Sequence, residues 1–299
     1  MAATRTELDD YIAAQINKYK GICMPKKAGM LERMIKRKLP CDCLHPNPAD
    51  EFCIPEVGPS YRIIGEYEDK IRKARQYDLD LFDEPVMIEK MSPDGYLILN
   101  GHHRWAAAMR CGVRRIPVRI VNLTQETDIK KVIQNSKHDK RLTLDLDEVV
   151  FGCNDPALYM KPLPFPYRYF YRERLRTGIP AIIHFLSIHG YDIWLYTASY
   201  YSYDYLKHMF MLHGVHADGV ITGTKRKVAA TAENKARIDS IQKLFRENYE
   251  ETLTIDNKGL VRSFTSGKEF EQYDLDGTPS DWPREVMTHL ERIVKDSKK

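Results

Sequence analysis

Apolar residues recur at helical spacing from Thr6 to about Lys20, where Leu8, Tyr11, Ile12, Ile16 and Tyr19 share one side and Thr6 stands as the N-cap. The spacing predicts a second helix over Ala28 to Lys38, with Arg33, Lys36, Arg37 and Lys38 on a solvated face. Pro40 and the turn formers of His45-Pro-Asn-Pro-Ala-Asp-Glu51 end that pattern. A helix over Tyr67 to Tyr77 follows, then two strands, Pro85 to Met91 and Tyr96 to Leu99, joined into a hairpin by Ser92-Pro-Asp-Gly95. At Asn100-Gly-His-His-Arg-Trp-Ala-Ala-Ala-Met-Arg110 the period changes from strand to helix, with a glycine at the junction. A short strand, Ile116 to Val121, and a charged connecting helix, Thr124 to Lys140, complete this half.

Beyond Asp139 the pattern alternates differently. Leu142-Thr-Leu-Asp-Leu-Asp-Glu-Val-Val150 reads as a strand buried on both faces. A helical region begins at Tyr169, and a helix from Pro180 to His189 ends at Gly190. Strands at Tyr191 to Ser199, Gly219 to Thr222 and Glu251 to Asn257 alternate with helices at Tyr203 to His213 and Ala229 to Phe245. Such alternation predicts a doubly wound parallel sheet. The expected organisation is N-terminal helices over 1–38, a first domain over 39–139 and a second over 140–299.

Composition changes this picture little. The 299 residues are 43% hydrophobic and 29% charged, ordinary globular material. No stretch is apolar enough to span a membrane and no export signal opens the chain, so a cytoplasmic protein with no membrane partner is expected. The six cysteines do not form a disulfide framework, and Cys41-x-Cys43 with Cys53 lacks the spacing of a standard zinc site. The net charge of +4 arises entirely before Arg141. So small a surplus disfavours a dedicated nucleic-acid binder, although it suits a local phosphate pocket.

The glycine at the start of the Gly101-His-His-Arg104 helix is the physical form of an anion site. First-turn amides lack partners within the helix and carry the positive end of its dipole, and Gly101 lets a phosphate approach. His102, His103 and Arg104 add donors. The order of loop, helix, hairpin, G-x-H-R-W helix and final strand resembles the ParB/sulfiredoxin fold over about Leu39 to Leu123. That resemblance implies binding of a nucleotide (ATP, ADP or CTP) by this loop and helix. His102 stands where sulfiredoxin carries its cysteine, so sulfinic acid reduction is not expected. The G-H-H-R form looks closest to the free serine kinases of this fold, which implies a glutamate base from the earlier loop; Glu51 is the candidate and Asp50 its rival.

In the second half each long strand that carries candidate chemistry ends in it: Asp145 and Asp147, then Thr197, then Asp256. Carboxyl ends of parallel strands open on the crevice where α/β proteins bind ligands. This order resembles the haloacid dehalogenase (HAD) superfamily from Arg141 to about Ser263, and its small-capped phosphatases in particular. The resemblance implies a HAD-like Rossmannoid domain with a minimal cap. It also implies Asp145 as nucleophile, Asp147 as acid and base, Thr197 and Lys235 on the phosphoryl group, and Mg²⁺ held by Asp145, Asp256 and the backbone carbonyl of Asp147. Lys225 and Lys227 are rivals to Lys235. Asn257 departs from the paired acids common in the superfamily.

Asp274-Leu-Asp-Gly-Thr278 imitates the same motif, but with 21 residues left no sheet can follow it, so it is expected to be a surface turn. The stretch from Val150 to Tyr191 is too short for a large cap, so the site should be open to a bulky phosphate or covered by the other domain. Tyr167, Tyr169 and Phe170 either line the entrance or belong to the core.

The expected function is a magnesium-dependent phosphohydrolase acting on a phosphorylated substrate, coupled to a nucleotide-binding domain that is itself a kinase or NTPase. Two alternatives compete: a nucleotide-gated regulatory or nucleic-acid-binding module carrying the phosphatase, and a binding module with an idle HAD fold.

Overall fold

The computed structural model describes residues 5–19, 22, 24–54, 56–153, 155–223, 232–265 and 270–296, with only the backbone course for 5, 6 and 232–238. Two compact units divide after Asn122, with the described residues 232–235 at the start of a later helix grouped with the first. Among the described residues no helix is long and apolar enough to cross a membrane.

The first unit begins with α1 (Arg5–Tyr19), which buries Leu8, Ile12 and Tyr19 and holds Thr6 inside its first turn rather than before it. After β1 (Met24–Pro25), the expected second helix shrinks to α2 (Met30–Ile35), because β2 (Lys38–Pro40) already pairs with a later strand and turns Leu39 inward. Next come β3 (Leu44–His45) and α3 (Tyr61–Tyr77), which starts six residues before the expected Tyr67. Gly65 weakens the helical signal there, while the packing of Ile64, Ile71 and Ala74 supports the whole length. The hairpin of β4 (Val86–Ser92) and β5 (Tyr96–Asn100) leads through Gly101 into α4 (His102–Arg110) and β6 (Arg115–Ile120). The strand order is β2-β6-β4-β5-β3, with β1 on the far end of β4. Trp105 and the three alanines after it are fully buried, so α4 lies flat on this core.

The second unit takes in α5 (Glu126–Asn135), which the sequence assigned to a connector ending near Asp139. Its Ile129 and Ile133 pack with Trp194, Phe245 and Tyr249, and this burial moves the division to Asn122. The unit continues with β7 (Lys140–Asp145), α6 (Ile179–Ile188), β8 (Tyr191–Tyr196), α7 (Tyr203–Leu212), β9 (Gly219–Ile221), α8 (Ala232–Asn248) and β10 (Glu251–Ile255). The strands β10-β7-β8-β9 run parallel. Two strands that the sequence reading did not anticipate, β11 (Gly259–Phe264) and β12 (Phe270–Asp274), extend the sheet antiparallel, so it is mixed rather than purely parallel. The chain ends in α9 (Trp282–Asp296).

Alternate residues of β8 enter different cores. Ile193 and Leu195 pack with α6, α7 and α9, whereas Trp194 packs with α5 and α8. This two-sided burial explains the unbroken apolar run of the strand and puts helices on both faces. At the amino ends of the parallel strands, Arg262 holds Glu251 with two bonds of 3.0 Å and Tyr191 donates to the same carboxylate. Structural charge is thus fastened at one edge, leaving the carboxyl edge for chemistry.

Candidate functional sites

In the first unit Gly101 has φ +98°, and a Cβ there would lie 3.0 Å from Arg104 Nε. Only glycine lets the chain turn here beneath that guanidinium. Arg104 itself is 6% exposed, donating to the Glu84 carbonyl (2.7 Å) and Asn100 Oδ1 (2.8 Å). The expected phosphate grip is therefore a brace that holds the turn in shape.

The two histidines act in the same way. His102 Nε2 accepts from the Asn47 amide (3.2 Å), and His103 Nε2 accepts from the Ser60 amide (3.1 Å). An accepting Nε2 on a neutral ring puts the proton on Nδ1. In His102 that nitrogen faces Asp50 at 3.6 Å. Phe52 stacks on His102 and meets His103 edge-on. Asp50 also caps the short turn Glu51–Cys53 by accepting from the Phe52 amide (3.0 Å), so the carboxylate beside His102 is Asp50, while the proposed base Glu51 is exposed in that turn. The start of α4 is thus held between Asn47 and Ser60, whose amides donate to its two histidines. The thiols of Cys41 and Cys43 donate to carbonyls of Val113 and Pro40, and burial pushes Cys41 and Cys53 up to about 12, which opposes the thiolate that zinc requires.

In the second unit the pairing register gathers the candidate residues. Ile255 pairs with Leu144, so Asp256 follows beside Asp145, and Asp145 pairs with Tyr196, so Thr197 stands one step past the end of β8. After Asp145 the chain makes a single wide helical turn, Leu146–Val150, begun by Asp145 Oδ1 accepting from the Glu148 amide (2.9 Å). It closes at Gly152, where a Cβ would come within 2.4 Å of the Asp147 carbonyl. Asp147 accepts from Thr197 Oγ1 (2.9 Å), the Ala198 amide and Ser199 Oγ (2.8 Å). Ser199, to which the sequence reading gave no role, shares this duty with Thr197.

Those contacts bear on the expected role of Thr197. Thr197 points at Asp147 rather than standing free for a phosphoryl group. The Asp147 side chain accepts from these three donors, which leaves its backbone carbonyl as the expected metal ligand, and among the described residues no three His, Cys, Asp or Glu side chains converge as a metal cluster. Two carboxylates and a carbonyl remain at this edge, an all-oxygen set that fits Mg²⁺ completed by water and substrate. Lys235 falls on α8, but its side chain lies outside the described residues, as do Lys225 and Lys227 altogether.

Sequence reasoning missed Arg176. This residue is 4% exposed, donates to Asn257 Oδ1 (2.7 Å) and the Pro279 carbonyl (3.3 Å), and lies over the Trp282 ring at 3.9 Å. Burial lowers its pKa. Asn257 in turn donates to the Glu148 carbonyl (2.7 Å), tying the Asp145 turn to the end of β10. A pocket of about 290 Å³ opens here, lined among others by Gly152, Arg176, Asn257, Thr278 and Trp282. The imitation motif begins on the last residue of β12, Asp274, so the segment before it is a strand after all, and from Leu275 to Thr278 it runs irregularly and supplies part of this wall.

Comparison with known proteins bears on the first unit and on α5 at the start of the second. The ParB N-terminal domain family matches residues 73–137, from the end of α3 past α5, beginning and ending later than the Leu39 to Leu123 stretch. An ATP-dependent L-serine kinase of Desulfurococcus mucosus is 38% identical over 68 residues, covering 22% of this chain and 25% of the kinase. The chain thus spans about a quarter of the length of that curated relative. Two structures of C-terminally truncated ParB from Caulobacter crescentus are also similar. The complex with CTP-γ-S is 23% identical with a TM-score of 0.24, over 34% of this chain and 55% of that one. The complex with the centromeric parS site is 21% identical with a TM-score of 0.22, over 34% and 50%. The chain therefore carries a ParB-like domain within a mixed α/β architecture of two sheets.

Proposed function

We propose that this protein is a magnesium-dependent phosphohydrolase whose first unit binds a nucleotide. The observation that carries the hydrolase reading is the register that brings Asp145, Asp256 and the Thr197–Asp147 pair to one edge of the second sheet. Three separate strands deliver the acids and hydroxyls of phosphoryl transfer in the order of the HAD superfamily.

In this reading an Asp145 oxygen attacks phosphorus, the bond from phosphorus to the ester oxygen breaks, and the leaving oxygen takes a proton from Asp147. Asp147 then removes a proton from water, which displaces Asp145 and releases inorganic phosphate. Thr197, Ala198 and Ser199 hold Asp147 in one rotamer for both transfers. Mg²⁺, held by Asp145, Asp256 and the Asp147 carbonyl, would supply charge neutralisation at the phosphoryl oxygens. Support for the nucleotide comes from the ParB N-terminal match, the similarity to an ATP-dependent kinase, and the start of α4, whose glycine N-cap makes no side-chain cap bond.

Asp145→Asn is expected to abolish hydrolysis of phosphate monoesters in the presence of Mg²⁺ while ATP or CTP binding persists. Undiminished turnover in that variant would remove Asp145 from the mechanism.

A further inference from the structure

Between two buried anchors of the second unit, Leu163 and Tyr171, lies an arm whose aromatic rings face solvent. Phe165 is 73% exposed, Tyr169 61%, Tyr167 43% and Phe170 42%. The helical region expected there is a single tight turn, Tyr167–Tyr169, and the rings are not core. Four large rings bared within six residues need an explanation, since apolar surface of this density marks an interaction site.

The charge around them identifies the partner. From Pro156 to Gly178 the chain has five basic residues (Lys161, Arg168, Arg172, Arg174, Arg176) against one acid, Glu173. Of these, Lys161, Arg168 and Arg172 are exposed, while Arg176 is buried against Asn257 and Arg174 donates to the Met160 and Tyr159 carbonyls, so the first three carry the charge a ligand would meet. Arg168 lies over the Tyr169 ring at 5.2 Å, and Phe165 meets Tyr169 edge-on at 6.0 Å. Aromatic faces interleaved with exposed arginines suit single-stranded nucleic acid, because bases stack on rings while phosphates pair with guanidinium groups.

The arm is also tied to the candidate catalytic edge. Tyr171 packs on Tyr205 at 4.8 Å, Tyr205 stacks with Tyr201 at 6.1 Å, and Tyr201 meets Phe151 at 6.1 Å. Phe151 closes the turn that begins at Asp145, and Tyr201 follows Ser199 by two residues. A row of rings therefore joins the arm to the turn and to the loop that hold Asp147.

We infer that the arm from Phe165 to Arg172 binds single-stranded nucleic acid and presents its phosphorylated end to Asp145. The inference rests on the phosphohydrolase reading for the reaction, and on the arm alone for the choice of substrate.

The test uses the full chain with short oligothymidylate and oligouridylate bearing a terminal phosphate. Affinity is read by fluorescence anisotropy across a salt series, and hydrolysis is compared with that of p-nitrophenyl phosphate. Phe165→Ala and Tyr169→Ala should each weaken oligonucleotide binding roughly tenfold, the measure of one lost base stack. Arg168→Gln with Arg172→Gln should flatten the salt dependence, since each lost phosphate contact removes about 0.7 from the logarithmic slope. The ratio of kcat/KM for oligonucleotide over small ester should fall in the same variants. Phe270→Ala removes a ring that is 70% exposed on β12 and should leave binding unchanged. Unaltered oligonucleotide affinity in the arm variants overturns the inference, as does selective loss of binding to phosphatidylserine vesicles, which would make the arm a membrane contact. If p-nitrophenyl phosphate is still hydrolysed through Asp145 in either case, only the substrate assignment falls. If no ester is hydrolysed although the arm binds oligonucleotide, the phosphohydrolase reading falls and delivery to Asp145 falls with it.

Discussion

Arg176 donates to Asn257 Oδ1 at 2.7 Å, and Asn257 donates onward to the Glu148 carbonyl at 2.7 Å. This chain of bonds ties the Asp145 turn to the Asp256 strand end. The two side chains share one bond, so each loses part of its anchorage when the other is removed. Arg176→Met should cost about 2–4 kcal/mol, through the lost charged hydrogen bonds of a buried group, and Asn257→Ala about 1–2 kcal/mol. A double-mutant cycle by denaturant titration should return a coupling of about 1–2 kcal/mol. Additive losses would mean that the bonds serve unrelated purposes. The apparent Mg²⁺ requirement for hydrolysis should rise in both variants if the turn and the strand end act together.

Gly101 combines a left-handed backbone with the Arg104 guanidinium over its α-carbon. Gly101→Ala is expected to destabilise the first unit by about 1–2 kcal/mol, from backbone strain and displacement of Arg104. It should also weaken nucleotide binding, because the first turn of α4 shifts with it. Thermal melting and nucleotide titration give the two readouts, and hydrolysis of a small phosphate ester in the second unit should continue.

Glu32 on α2 accepts from Lys90 (2.7 Å), Tyr96 (2.7 Å) and Lys36 (2.9 Å). The Lys90 bond, helped by the other two, lowers its pKa from 4.5 to about 2. A carboxyl with a lowered folded pKa contributes stability that is complete above its unfolded value. That contribution should therefore be present above about pH 4.5 and lost progressively as pH falls toward about 2. Glu32→Gln should remove this part of the acid dependence. Parallel pH profiles of unfolding free energy for the two proteins would assign the acid transition to other carboxylates.

Local pattern was a good guide wherever one period dominated. The β4–β5 hairpin, the glycine before α4 and the run from Leu142 to Asp145 were all legible, because alternation, turn chemistry and unbroken burial write themselves into adjacent residues. The pattern failed at α2, where a helical period gives way to pairing of β2 with β6, and at α5, whose charged surface hid the contacts of Ile129 and Ile133. Strands β11 and β12 were missed because they gain their hydrogen bonds from β10 and from one another, not from a strong local signal.

The candidate sites divide in the same way. By itself the sequence determined which residue types stand at the strand ends and at the glycine junction, since these are matters of spacing and chemical type. Only the tertiary structure decided their partners: Asp147 turned to Thr197 and Ser199, Arg104 folded back as a brace, Arg176 fixed on Asn257, and the rings of the arm left in solvent. A side chain's direction depends on groups brought near from distant parts of the chain, and no local period carries that information.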